Sequence, residues 1–272
     1  MARMKSLLDL DAYLERIGWR GDVRPTFATL ATLLDAHMTR IPFENLDVLL
    51  GRRIRVDLDG VQQKLVRAHR GGYCFEHATL FAAVLEAFGF RPGRHCARVT
   101  MYKPRTEAAR THMFLTVALA EGTFVVDPGF GSLAARVPVP LIDAAPARTG
   151  HETHWMTREG DLWTLHAQVG ETAVNAWVST LEQEHPVDFE MGNHFTATHP
   201  DSLFVSRIMM RALTPEGRIT VMNREVTRWN ASTPRTSQLP DRTALRALLI
   251  EHFGFDLPEA EQLRVPSIPE WM

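Results

Sequence analysis

The hydrophobic period of this chain switches near residue 90, and that switch limits the folds open to it. Before it, apolar residues recur at helical spacing. Leu10, Tyr13, Leu14 and Ile17 form one stripe, with Gly18 placed to end it. Phe27, Leu30, Leu34, His37 and Ile41 form a second, stopped before Pro42. Val61 and Leu65 suggest a third helix before Arg70. Gly71-Gly72 then breaks the chain, and Ala78, Phe81, Leu85 and Phe88 predict a fourth helix from about Cys74 to Gly89. After residue 90 the pattern alternates: HCARVTMY, THMFLTVAL, TFVVD and LWTLHAQV read as strands, with turns at Ala120-Glu121-Gly122 and Glu159-Gly160-Asp161. LFVSRIMMRAL and RITVMN flank Thr214-Pro215-Glu216-Gly217 as a further hairpin, and Leu245, Leu248, Leu249 and Phe253 close the chain with a helical stripe. Helices first, strands next and a mixed tail predict an α+β fold rather than a doubly wound sheet. Pro138, Pro140 and the DAAPARTG stretch read as a loop within one compact unit.

Composition narrows the function classes. At 272 residues the chain can bury a sizeable core, and 30 basic against 32 acidic side chains leave a net charge of -2. So balanced a chain has no electrostatic reason to coat nucleic acid or an anionic membrane. No apolar run approaches the roughly 18 residues of a spanning helix. The start has early positive charge, but Asp9, Asp11 and Glu15 interrupt the apolar core that a signal peptide needs. Two cysteines, Cys74 and Cys96, cannot make a disulfide-dense scaffold. The expectation is a cytoplasmic protein with reduced thiols.

RGGYCFEH places Cys74 after two glycines and at a helix start. Free backbone amides and the positive dipole end there favour thiolate over thiol, the state that acts as a nucleophile. A thiolate gains from an imidazole, and the imidazole from a carboxylate that holds its tautomer. Among 12 histidines, His112 stands out because it opens the strand THMFLTVAL, while Asp127 closes the next strand. An Ala120-Glu121 turn puts Asp127 opposite Phe114, diagonal to His112. A Glu121-Gly122 turn puts it opposite Thr116, on the same face but farther away. A three-residue turn reverses the parity unless a bulge restores it. Other motifs carry less. Cys74 and His77 lack a second pair of metal ligands, so no metal is expected. HETH at 151–154 is not a zinc helix and reads as a surface loop; Cys96 reads as strand packing. Gly129-Phe130-Gly131 lacks the third glycine of a dinucleotide fingerprint, and no phosphate loop is present. Arg52, Arg53 and Arg55 read as a solvated edge.

Together AYLERIGW, IPFENLDVLLG at 41–51, RGGYCFEH at 70–77, Thr111-His112, VDPGFGS at 126–132 and LTPEG at 213–217 resemble the arylamine N-acetyltransferases over nearly the whole chain. The resemblance implies an N-terminal helical bundle (1–90), a central β-barrel (91–200) and a C-terminal α/β lid (201–272), around a catalytic core like that of cysteine proteases. It implies Cys74, His112 and Asp127 as a catalytic triad. Acetyl-coenzyme A would be the co-substrate, and aromatic amines, hydrazines or hydroxylamines the acceptors. By motif position Phe43, Phe130 and Phe204 would line the acceptor pocket, and Gly129, Gly131 and Ser132 the donor cleft. Arg70 and Glu44 would pair and brace the cysteine loop. Two departures from the family pattern stand out: Ala78 replaces a common asparagine, and Pro128 a small or aliphatic residue. An amide synthase acting on a carrier-bound acyl chain, and a cysteine hydrolase, would carry the same triad.

Overall fold

Each helix begins where a side chain can satisfy a free backbone amide. In the computed structural model, which describes residues 8–150, 152–169, 171–215, 217–230 and 234–272, α1 spans Leu10–Ile17 and is capped by Asp9, whose carboxylate accepts from the Ala12 amide. It ends on Gly18 at φ 67°, the left-handed conformation that favours glycine. α2 (Phe27–Arg40) is capped by Thr26 and turns Leu30, Leu33, Leu34, His37 and Met38 inward. The short α3 (Leu46–Leu49), which periodicity could not show, follows. α4 (Leu58–Val61) starts at Asp57 and runs on as a π-helical stretch, Gln62–Arg67. α5 (Cys74–Ala87) starts at the cysteine, as the glycine break predicts. The early positive charge of the chain lies outside the described residues, as do His151 and Glu216 of the HETH and LTPEG motifs.

α5 is buried on nearly every side. Its Phe81, Leu85, Leu80 and Val84 form one hydrophobic cluster with the α1 and α2 stripes and with Met113, Leu115 and Val117 of the barrel. The strands are β1 (Pro92–Val99), β2 (Arg110–Leu119), β3 (Gly122–Val126), β4 (Val139–Pro140), β5 (Pro146–Thr149), β6 (Glu152–Glu159), β7 (Leu162–Val169) and β8 (Thr172–Ser179). They form one eight-stranded sheet in the order β4-β3-β2-β1-β8-β7-β6-β5, whose two end strands come into contact, so the sheet is a near-closed antiparallel barrel. Trp177, Phe114, Met156 and Leu165 fill its interior.

α6 (Pro186–Thr198) leads out of the barrel. A second sheet follows, β9 (Met209–Thr214), β10 (Gly217–Met222), β11 (Glu225–Asn230) and β12 (Arg235–Gln238). The helix α7 (Arg242–Leu248), extended by a π-helical turn to Phe253, packs Leu245 and Leu249 against Met210, Ile219 and Val221 of that sheet. The backbone of β9 bonds that of Phe43 through Arg211, and Arg218 on β10 ion-pairs Glu152 on β6.

Three sequence expectations need correction. HETH is not a surface loop: Thr153 and His154 lie in β6, and the buried His154 ring donates to the Leu133 carbonyl at 2.9 Å, which offsets the cost of its burial. Part of DAAPARTG is strand, since the β5 backbone pairs with β6. LFVSRIMMRAL is not one strand: Leu203–Val205 is a 3-10 turn capped by Ser202, and β9 starts only at Met209. Periodicity does not show the strand β8, because its outer half, TAVN, is largely exposed and carries no alternation.

Candidate active site

Two elements that meet end to end build the site. Cys74 is the first residue of α5, 4% exposed. The loop before it is stitched to the Pro42–Glu44 segment: Gly72 donates to the Pro42 carbonyl at 3.2 Å, and Glu44 donates to the Gly72 carbonyl at 2.8 Å. The Glu76 carboxylate accepts from the Tyr73 amide at 3.0 Å and is ion-paired with Lys64 at 2.9 Å. Behind the loop Arg70 lies 2.7 Å from Glu44, with Asp47 3.3 Å away.

The second element is the β2–β3 hairpin. Leu119 pairs with Gly122 across Ala120-Glu121 and Leu115 pairs with Val126, the register that carries Asp127 to the end of β3 on the face of His112. His112 Nε2 lies 2.7 Å from Asp127 Oδ2, and the same oxygen accepts from Trp177 Nε1 at 3.0 Å. The Cys74 Sγ donates to the Thr111 carbonyl at 3.7 Å and lines the same cavity as the His112 ring. Asp127 already occupies Nε2, so Nδ1 is the nitrogen left for the sulfur. His112 is 2% exposed and Asp127 3%. Burial by itself lowers the imidazole pKa; the charge and hydrogen bond of Asp127, with a smaller contribution from Cys74, outweigh it and raise the value to about 10.

The segment after Asp127 passes over the start of α5. A Cβ on Gly129 would lie 2.5 Å from the Cys74 Cα, so only glycine permits this approach. Gly131 has φ +72° and packs on the Phe43 ring. Cys74 and His112 open into a cavity of about 290 Å³, also bordered by Phe43, Phe130 and Phe204 and by Gly129, Gly131 and Ser132. Phe130 stands edge-on to His112 with centroids 4.9 Å apart, and Phe204 edge-on to Phe43 at 6.2 Å. The residues singled out in sequence thus gather around one cleft, with Asp127, Arg70 and Glu44 behind its wall.

Sequence reasoning missed the supports. Trp177 holds Asp127 from β8, a strand that was itself missed. Arg211 Nη1 donates to the Gly131 carbonyl at 2.9 Å, and His154 to that of Leu133, so two buried side chains clamp the turn after Asp127. A lone arginine in an apolar strand, MMRALT, was the available signal. Ala78, fully buried, is core packing. Among the described residues no group of three or more His, Cys, Asp or Glu side chains could hold a metal, and no helix is long and apolar enough to cross a membrane.

A helix-borne thiol, a barrel-borne imidazole and a carboxylate behind it form the arrangement of thiol-dependent acyl-group chemistry. The chain belongs to the arylamine N-acetyltransferase family. A family model described as N-acetyltransferase matches residues 26–262. An arylamine N-acetyltransferase of Escherichia coli is 35% identical, covering 93% of this chain and 90% of its own. An "arylamine N-acetyltransferase / N-hydroxyarylamine O-acetyltransferase" of Salmonella typhimurium is 33% identical over 93% of this chain and 90% of its own. The structure of the Mycobacterium marinum arylamine N-acetyltransferase in complex with CoA superposes with TM-score 0.88 at 31% identity, covering 93% of this chain and 94% of that one.

Proposed function

We propose that this chain transfers an acetyl group from acetyl-coenzyme A to aromatic amines, hydrazines or hydroxylamines through an acetyl-cysteine at Cys74. The carrying observation is that the buried Cys74 thiol and the buried His112–Asp127 pair converge on one aromatic-walled cavity. In this reading the Cys74 thiolate attacks the acetyl carbonyl, and the carbon–sulfur bond to coenzyme A breaks. The leaving thiolate takes the proton held by His112, giving free coenzyme A and a thioester on Cys74. The amine nitrogen then attacks that thioester; His112 accepts the surplus proton, and the cysteine thiolate leaves beside an imidazolium once more. Asp127 orients the ring and stabilises its charge in both halves.

Phe43, Phe130 and Phe204 suit a flat aromatic acceptor, which gains area and edge-to-face contact from such walls. Gly129, Gly131 and Ser132 leave backbone open on the donor side. Arg70 and Glu44 brace the cysteine loop from behind. In this reading a helical bundle (1–90) supplies Cys74, a barrel (91–200) supplies His112 and Asp127, and a lid (201–272) supplies Phe204 and Met209 to the cavity wall. A cytoplasmic setting suits the two cysteines, both free thiols in this structure.

Intact-mass spectrometry after brief exposure to acetyl-coenzyme A tests the scheme. One acetyl group on the wild type, absent from Cys74→Ala and discharged by an added arylamine, is the expected result. A wild type that stays unmodified, or one that loses the acetyl group as fast to water as to the amine, would overturn it.

A further inference from the structure

Three buried polar rings stand in a row inside the helical bundle, and the acetyl-transfer scheme uses none of them. Tyr13 on α1 lies with its hydroxyl 2.9 Å from His37 Nδ1 on α2. His37 Nε2 lies 2.8 Å from His77 Nδ1 on α5, and His77 Nε2 lies 3.2 Å from the Pro42 carbonyl oxygen. Tyr13 and His37 are 0% exposed and His77 1%.

The far end determines every proton in the row. A carbonyl can only accept, so His77 carries its hydrogen on Nε2. A neutral imidazole has one N–H, so His77 Nδ1 is an acceptor and His37 donates to it from Nε2. His37 Nδ1 then accepts, and Tyr13 is its donor. With both histidines neutral every group in the row is paired in one direction; a proton added to either would turn the Tyr13–His37 bond around, the hydroxyl then accepting, and would place a charge in the buried bundle. Burial first, and the neighbouring positive charges of Lys64 and Arg211, hold His77 at about 4. Burial, His77 and Arg16 keep His37 well below the usual histidine range.

The row ends at a joint of the active site. The Pro42 carbonyl that accepts from His77 also accepts from Gly72 of the cysteine loop. The next residue, Phe43, bonds the β9 backbone at Arg211 and puts its ring into the cavity. The His77 Cβ also packs beneath Gly129, where an added Cβ would come within 3.2 Å of it. An apolar trio would fill the bundle interior without these demands; it would also remove one of the two donors on the Pro42 carbonyl and leave the Gly72 amide alone to direct it.

We infer that His77, oriented by His37 and Tyr13, is a positioning residue that sets the Phe43 wall against the cysteine loop and so governs how an arylamine is held for attack on acetyl-Cys74. The inference rests on the reading of Cys74 as the acetylated nucleophile, and the test separates the two.

Acetyl-enzyme is prepared from wild type, His77→Leu and His77→Gln, and its discharge is followed with an arylamine and with free hydrazine, which needs no aromatic wall. In His77→Leu the half-saturating arylamine concentration should rise about tenfold while the hydrazine rate constant stays within about twofold. Glutamine can accept from His37 through its carbonyl and donate to Pro42 through its amide, so His77→Gln should restore the wild-type arylamine value. Nitrogen-15 spectra of the wild type should show His37 and His77 as neutral Nε2–H tautomers. Equal losses toward both acceptors in His77→Leu, a folded His77→Gln with a raised arylamine value, or an Nδ1–H tautomer at His77 would each overturn the inference. If His77→Leu does not fold, the glutamine variant and the spectra decide. A wild type that never acetylates refutes the functional reading instead.

Discussion

His112 keeps a charge that burial alone would remove. Its pKa of about 10 lies above the unfolded value near 6.5, because the Asp127 carboxylate and Cys74 outweigh desolvation. The stabilisation this represents is complete below about pH 6.5 and is lost as the pH rises through about 10. At neutral pH the ring is therefore an imidazolium beside the sulfur, the partner a thiolate needs. Asp127→Asn removes the anion and leaves desolvation dominant, so the imidazole becomes neutral. Alkylation of Cys74 by iodoacetamide at pH 7 should slow about 10–100-fold, with its profile displaced to alkaline pH. An unchanged profile would show that Asp127 does not set the charge of the pair. Cys96 makes the contrast: burial pushes that thiol up to about 12 and leaves it inert.

Two element ends make the site, and their fit has little tolerance. The positive end of α5 meets the turn that follows β3, with the Gly129 backbone against the Cys74 Cα. Gly129→Ala must push the turn away from the helix start or distort one of them. Such overpacking costs about 1–3 kcal/mol, while the displaced triad should lose at least about 100-fold in acetyl transfer. Circular dichroism and a coupled acetyl-coenzyme A assay check this; a variant with wild-type turnover would mean that the approach is looser than described. Sequence showed these elements because their signals are local. Gly71-Gly72 before an apolar stripe marked α5, and Ala120-Glu121 between alternating runs marked the hairpin that unites His112 with Asp127. The edge strand β5 and the half-exposed β8 gave no such signal, because their backbone pairing with neighbouring strands defines them.

The whole molecule carries buried titratable groups that answer acid in opposite directions. His77 stays neutral in the fold down to about pH 4 but is protonated when unfolded below about 6.5, so stability falls as the pH drops between those values. Glu76 is raised by burial to about 7, tempered by Lys64 and pushed further by Glu44; it takes its proton first in the fold and so opposes the loss between about pH 7 and 4.5. Comparison of wild type with His77→Gln isolates the histidine. Between pH 6.5 and 4.5 the wild type should lose about 2–3 kcal/mol more than the variant in urea denaturation. Parallel curves would place the His77 pKa near its ordinary value. By itself the sequence determined the helix-then-strand order and the cysteine at a helix start, and it reduced the hairpin to a few turns, of which the structure has the one across Ala120-Glu121 that sets His112 and Asp127 on one face. Each of these follows from periodicity, capping or turn geometry within about twenty residues of chain. Tertiary structure alone decided that Trp177 would hold Asp127 from 50 residues away, and that His37 would reach His77 across 40. It also decided that β9 would carry Arg211 to Gly131, 80 residues distant. Such contacts arise from how whole elements pack, and no local pattern of residues encodes the direction of a hydrogen bond between segments so far apart.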